Sequence, residues 1–164
     1  MRKKVKKTDK NLIGAAGEHL VLSRLLQKGY LAALVPMRTE RIDILVNHQG
    51  SKPPCLIQVK TKTERARGWL LDSKNERNRA ADTFYCFVDF AKEQPDIYVI
   101  PARKVARVIK KAHQTWLGQP GKRKQKRNDS NMRKVANSLP GIREGWMNEY
   151  LEAWDLILEK KLAQ

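Results

Sequence analysis

The chain is short of acid, of cysteine and of long apolar runs, and each shortage closes off a class of protein. Its 17 aspartates and glutamates face 34 lysines and arginines, leaving a net charge of +17 at neutral pH. A surplus of that size exceeds what solubility requires and draws polyanions, nucleic acid first and acidic membrane second. Only Cys55 and Cys86 occur. Without a Cys-x-x-Cys pair, or ligand spacing among His19, His48 and His113, neither a disulfide framework nor a zinc site is expected. Both thiols read as buried strand residues. No apolar run approaches the roughly 20 residues of a membrane-spanning helix, so no membrane partner is expected. The basic N-terminus lacks the apolar stretch of a signal peptide, and a cytoplasmic location follows as an expectation. Glycine-rich phosphate loops, serine-nucleophile motifs and His-rich nuclease motifs are missing too.

What is present is a small polar set in two strand-like runs. Asp43 lies in Arg41-Ile-Asp-Ile-Leu-Val46, and Gln58 and Lys60 lie in Leu56-Ile-Gln-Val-Lys60. Strand side chains alternate faces, so Gln58 and Lys60 point one way while Ile57 and Val59 point the other. Asp43 faces opposite to Ile42 and Ile44. If the runs pair, an acid, an amide and an amine meet on one face of an apolar sheet. Burying such groups is costly unless they bind each other, a metal or a ligand.

A further acid points to the same place. Asp9 to Gly29 reads as a helix, with Thr8 or Asp9 as the N-cap and Gly29 as the stop. Gly14, Ala15, Glu18, Val21, Leu22, Leu25 and Leu26 follow the spacing of one helix face, with Glu18 in its middle. Gly14 and Gly17 would let the backbone around Glu18 approach a neighbour closely. Glu18 is therefore expected at the Asp43 site, the alternative being a core-edge ion pair with a Lys or Arg.

Glu18 on a first helix, Asp43 in an Arg-Ile-Asp step and Gln58-Val-Lys60 on the next strand resemble the signature of the PD-(D/E)xK nuclease superfamily. The order of elements over residues 9 to 113 resembles that superfamily's restriction-endonuclease-like core. The resemblance implies an α/β fold with a mixed central sheet flanked by helices. It also implies metal-dependent phosphodiester hydrolysis by a DNA endonuclease using Mg²⁺ or Mn²⁺. Asp43, Gln58, the Val59 carbonyl and Glu18 would hold the metal, and Lys60 would orient or deprotonate the attacking water or stabilise the transition state. The chain departs from the pattern at Gln58, where most members carry Asp or Glu. An amide oxygen can ligate a hard cation but brings no charge. The alternative is thus a nucleic-acid-binding protein that keeps the nuclease fold without turnover. A structural Asp43–Lys60 ion pair is the plainer account of the polar set.

Residues 1–10 form a basic arm, and residues 11–164 are expected to make one domain. Its core spans 11–113, followed by a basic loop over 119–134 and a C-terminal helix over 146–162, with Tyr150, Leu151, Trp154, Ile157 and Leu158 inward. Strands are expected at Tyr30–Val35, Thr83–Phe90 and Asp96–Ile100, and Pro101 suits the start of a helix with Val105, Val108, Ile109 and Ala112 inward. The cations expected to meet phosphates are Lys62, Arg65, Arg67, Lys74, Arg77 and Arg79, then Lys122, Arg123, Lys124, Lys126 and Arg127. Trp69 among the first group would stack on a base or sugar, although core packing is the commoner fate of a tryptophan. Trp116, Trp146 and Trp154 read as core. DNA is expected ahead of RNA as partner, and a homodimer would suit the cutting of both strands.

Overall fold

The structure is a computed structural model describing residues 9–36, 41–47, 54–64, 66–121 and 124–159. Arg65, Lys122, Arg123, His48, most of the basic arm and the centre of the loop after Asn47 lie outside the described residues.

The first helix, α1, runs over Lys10–Gln27. Asp9 caps it by accepting a hydrogen bond from the Asn11 amide at 2.8 Å, satisfying one of the orphan donors of the first turn. Gly29, at φ +81°, turns the chain out of the helix in a conformation that other residues resist. Strands β1 (Leu31–Leu34), β2 (Ile44–Asn47) and β3 (Cys55–Thr63) follow as an antiparallel meander. The chain then makes β4 (Trp69–Asp72) and a 3₁₀ helix over Ser73–Arg77 before β5 (Thr83–Phe90). Strand β5 lies parallel to β3, and β6 (Asp96–Pro101) lies antiparallel to β5. The result is a five-stranded mixed sheet in the order β1-β2-β3-β5-β6. Helix α2 (Ala102–Gly118), strand β7 (Met132–Val135) and a short helix α3 (Asp155–Glu159) complete the fold. Among the described residues no helix is long and apolar enough to cross a membrane.

Each face of the sheet carries its own core. On one, Ile44, Ile57, Val59, Cys86 and Val88 meet Val21 and Leu25 of α1 and Trp154 and Ile157 near the C-terminus. On the other, Tyr85 and Phe87 meet Val105, Val108, Ile109 and Ala112 of α2, the β4–β7 ribbon and Trp146. The C-terminal third is therefore part of both cores. Cys55 and Cys86 are buried free thiols, and burial pushes the Cys86 thiol far above its ordinary range.

Three expectations need correction. Strand β7 falls at the end of the expected basic loop and pairs with β4. Its inward residues are Arg133 and Val135, and the buried Arg133 guanidinium is held by Glu76 and by the Ser130 carbonyl. An inward arginine hides the period-two pattern that marks a strand. The expected long C-terminal helix is instead a 3₁₀ turn at Asn148–Tyr150 followed by α3. Between them Glu152 takes φ +50° and donates its N–H to the Ile97 carbonyl, while Leu151 bridges to Tyr98. Pairing with the free edge of β6 thus overrides local helix propensity. Leu151 is 45% exposed rather than inward, and Leu158 lies outside the described side chains. Finally, the buried stripe of α1 is Gly17, Val21 and Leu25, with Leu26 50% exposed. Glu18 lies at the edge of that stripe rather than at its centre.

Candidate active site

The site forms where the β2–β3 ladder stops. The last paired residues are Ile44 and Ile57, after which the Asp43 N–H donates to the Ile57 carbonyl at 2.9 Å. Strand β3 continues, and its next inward-edge amide, Val59 N–H, donates to Asp43 Oδ2 at 2.7 Å. A side chain thereby replaces the missing strand. A strand residue presents its N–H and C=O along one edge, so the Val59 carbonyl lies on the Asp43 side as well. Gln58 and Lys60 are half-buried on the face opposite Val59.

Glu18 reaches the same notch from the α1 side. The helix seats on β3 at Gly17, where an added Cβ would overlap the Thr61 Cγ2 methyl and come within 3.6 Å of Val59. This close approach is what the sequence suggested for Gly17; Gly14 meets nothing within 4 Å and has no such role. Gly17→Ala is expected to push α1 outward and cost about 1–3 kcal/mol. Thr61→Ser, which removes the obstructing methyl, should recover much of that loss. Urea midpoints of the two single variants and the double variant would show the coupling, and strict additivity would refute the seat.

The electrostatics show that these groups sense one another. Burial raises the Glu18 pKa above its ordinary 4.5, and the Asp43 charge raises it further, against weaker opposing pulls from His19 and Lys60. An acid whose pKa is higher in the fold than in the unfolded chain costs stability as pH rises above 4.5, so the fold holds Glu18 at a disadvantage when ionised. The cluster is rich in acceptors. Gln58 Oε1 is buried with no hydrogen-bond partner among the described residues. Asp43, Glu18 and the Gln58 amide oxygen are hard oxygen donors of the kind that suits Mg²⁺ or Mn²⁺, and a buried orphan acceptor is what a ligand position would leave. No group of three or more His, Cys, Asp or Glu is gathered anywhere among the described residues, so the amide, a backbone carbonyl or water would complete a ligand set here.

The remaining assignments divide. Trp69 is closed to a base: its indole N–H donates to the Val88 carbonyl at 3.0 Å and its ring packs on Phe87 and Tyr98. Two inward apolar side chains, Trp69 and Leu71, make β4 a core strand among the cations of this segment. Lys62 forms an ion pair with Asp89 and lies over the Trp69 ring. Arg67, Lys74, Arg77, Arg79, Lys124 and Lys126 are exposed. Arg127 is half-buried over Trp116, which itself stacks on His113 and is only partly buried. His19 spends its Nδ1 on the Ala15 carbonyl of its own helix.

Two contributors escaped the sequence. The buried Tyr85 hydroxyl donates to Asn75 Oδ1 at 2.6 Å, anchoring the 3₁₀ helix that carries Lys74 and Arg77 over the sheet face bearing Gln58. Burial pushes the Tyr85 phenol pKa up, and the charge of nearby Arg41 opposes it. Arg41 itself holds its backbone at φ +63°. Its position two residues before Asp43 was the one available signal.

No family profile matches the chain, and no curated protein matches it in sequence. Among solved structures, that of a bacterial homing endonuclease, I-Ssp6803I, is similar at 21% identity and a TM-score of 0.56, covering 96% of this chain and 97% of that one. At that identity the likeness shows the fold: a five-stranded mixed sheet flanked by helices, shared with a nuclease structure.

Proposed function

We propose that the chain is a metal-dependent DNA endonuclease with a PD-(D/E)xK-type centre made of Glu18, Asp43, Gln58 and Lys60. The observations that carry this reading are two mutually repelling carboxylates at an open ladder end and, on the adjoining strand β3, an orphan buried amide oxygen. Asp43, Gln58 and the Val59 carbonyl would hold the ion, with Glu18 alongside. A bound Mg²⁺ or Mn²⁺ supplies activation of water and neutralisation of phosphate charge. Lys60, on the Gln58 face, donates to the phosphate oxygens as charge develops in the transition state or handles the proton of the attacking water. Asp43 is held in place by the Val59 N–H, which fixes the carboxylate without neutralising it. The likeness to a homing endonuclease and the net charge of +17 both favour DNA as the substrate.

The second reading, DNA binding without turnover, is favoured by the neutral Gln58. Gln58→Glu separates the two. A third carboxylate in the notch should lower the melting temperature in metal-free buffer, and millimolar Mg²⁺ should restore it by more than in the wild type. Metal affinity should rise about tenfold, and nicking of supercoiled DNA should hold or increase. If the wild type and this variant both bind DNA yet neither nicks supercoiled, linear or branched DNA with Mg²⁺ or Mn²⁺, the binding-only reading replaces the enzyme.

A further inference from the structure

Strand β3 runs on past Lys60 to a second recess, a cavity of ≈ 420 Å³ whose walls include Lys62, Arg67, Gly68, Tyr98, Lys134 and Ser138. Lys60 and Lys62 share a face of β3 and lie roughly 7 Å apart along the strand, about the spacing of two successive phosphates of a nucleic-acid strand. The cavity therefore adjoins the position of the cleaved bond. Its charge is positive: Lys62 is neutralised by Asp89, whereas Arg67 and Lys134 have no ion-pair partner among the described residues. Gly68 brings this wall tight against β7. At φ +152°, an added Cβ there would overlap the Val135 carbonyl and crowd the Lys134 stem at 2.9 Å. The space exceeds what a phosphate needs and falls in the range of organic-ligand pockets, roughly 300–1,000 Å³. Tyr98 offers a half-buried ring, and the exposed Ser138 hydroxyl offers a donor and acceptor.

Resting on the nuclease reading above, we infer that this cavity holds one nucleotide of the bound strand beside the scissile phosphate. Its phosphate lies between Arg67 and Lys134, and its sugar and base lie against Tyr98 and Ser138. Such a subsite would set which unstacked nucleotide is tolerated next to the cut.

The test is a metal-free titration of ¹⁵N-labelled full chain with thymidine 5′-monophosphate, read by amide chemical shifts. Signals of Lys62, Gly68 and Ser138 should move, and thymidine or inorganic phosphate alone should move them less. Replacing both exposed cations (Arg67→Gln with Lys134→Gln) should weaken the nucleotide by at least about tenfold, since two charged contacts are lost. The same spectra report whether the double variant is folded. Unmoved signals, an unchanged affinity in the double variant, or inorganic phosphate matching the nucleotide would each overturn the subsite. A chain that takes the nucleotide but cuts no DNA would overturn the nuclease reading alone. A chain that nicks DNA with these signals unmoved would overturn the subsite alone.

Discussion

Asp43→Asn is expected to lower kcat/KM for DNA nicking by at least about 10³-fold, equivalent to about 4 kcal/mol of transition-state stabilisation. The substitution keeps the shape and an acceptor for the Val59 N–H, so the ladder end should stay closed and the fold intact. What disappears is the anionic charge on which the proposed metal site would most depend. The same change removes the second cause of the raised Glu18 pKa, so the Glu18 carboxyl should titrate lower in the variant, by carboxyl-carbon NMR. Asp43→Ala differs, because it strands the Val59 amide as well, at about 1–3 kcal/mol of stability. Lys60→Ala should leave metal and DNA binding largely in place while slowing cleavage by about 10²–10³-fold, as loss of one transition-state donor does. Wild-type nicking by Asp43→Asn would remove the notch as the reaction centre.

DNA affinity should fall about 10³-fold between 50 and 200 mM salt if roughly six phosphates are neutralised. The exposed Lys74, Arg77 and Arg79 lie in or beside the 3₁₀ helix that Tyr85 and Asn75 tie over the Gln58 face. Neutralising these three should flatten the slope of log affinity against log salt by about 2–3. Fluorescence anisotropy with a short duplex at four salt concentrations gives the slope directly. A nearly flat response in the wild type would exclude nucleic acid as the main partner.

Much of this was open to reading from the chain. Helix α1 carries its own start and stop signals in Asp9 and Gly29, and α2 shows its buried stripe in the spacing of Val105, Val108, Ile109 and Ala112. Capping and periodicity are short-range effects, fixed by residues three or four apart, so they survive without knowledge of any partner. Asp43, Gln58 and Lys60 were conspicuous for the same reason, as polar residues breaking apolar strands. Tertiary structure decided the rest. Glu18 enters the site because Gly17 lets α1 settle onto Thr61, an encounter between residues 44 positions apart in sequence. Trp69 belongs to the core because Val88 offers its indole an acceptor, and Arg133 makes a strand acceptable because Glu76 waits beside it. The C-terminal segment bends at Glu152 to pair with β6 rather than coil. In each case a distant partner changes the cost of burying a group, and that cost is not written in the local sequence.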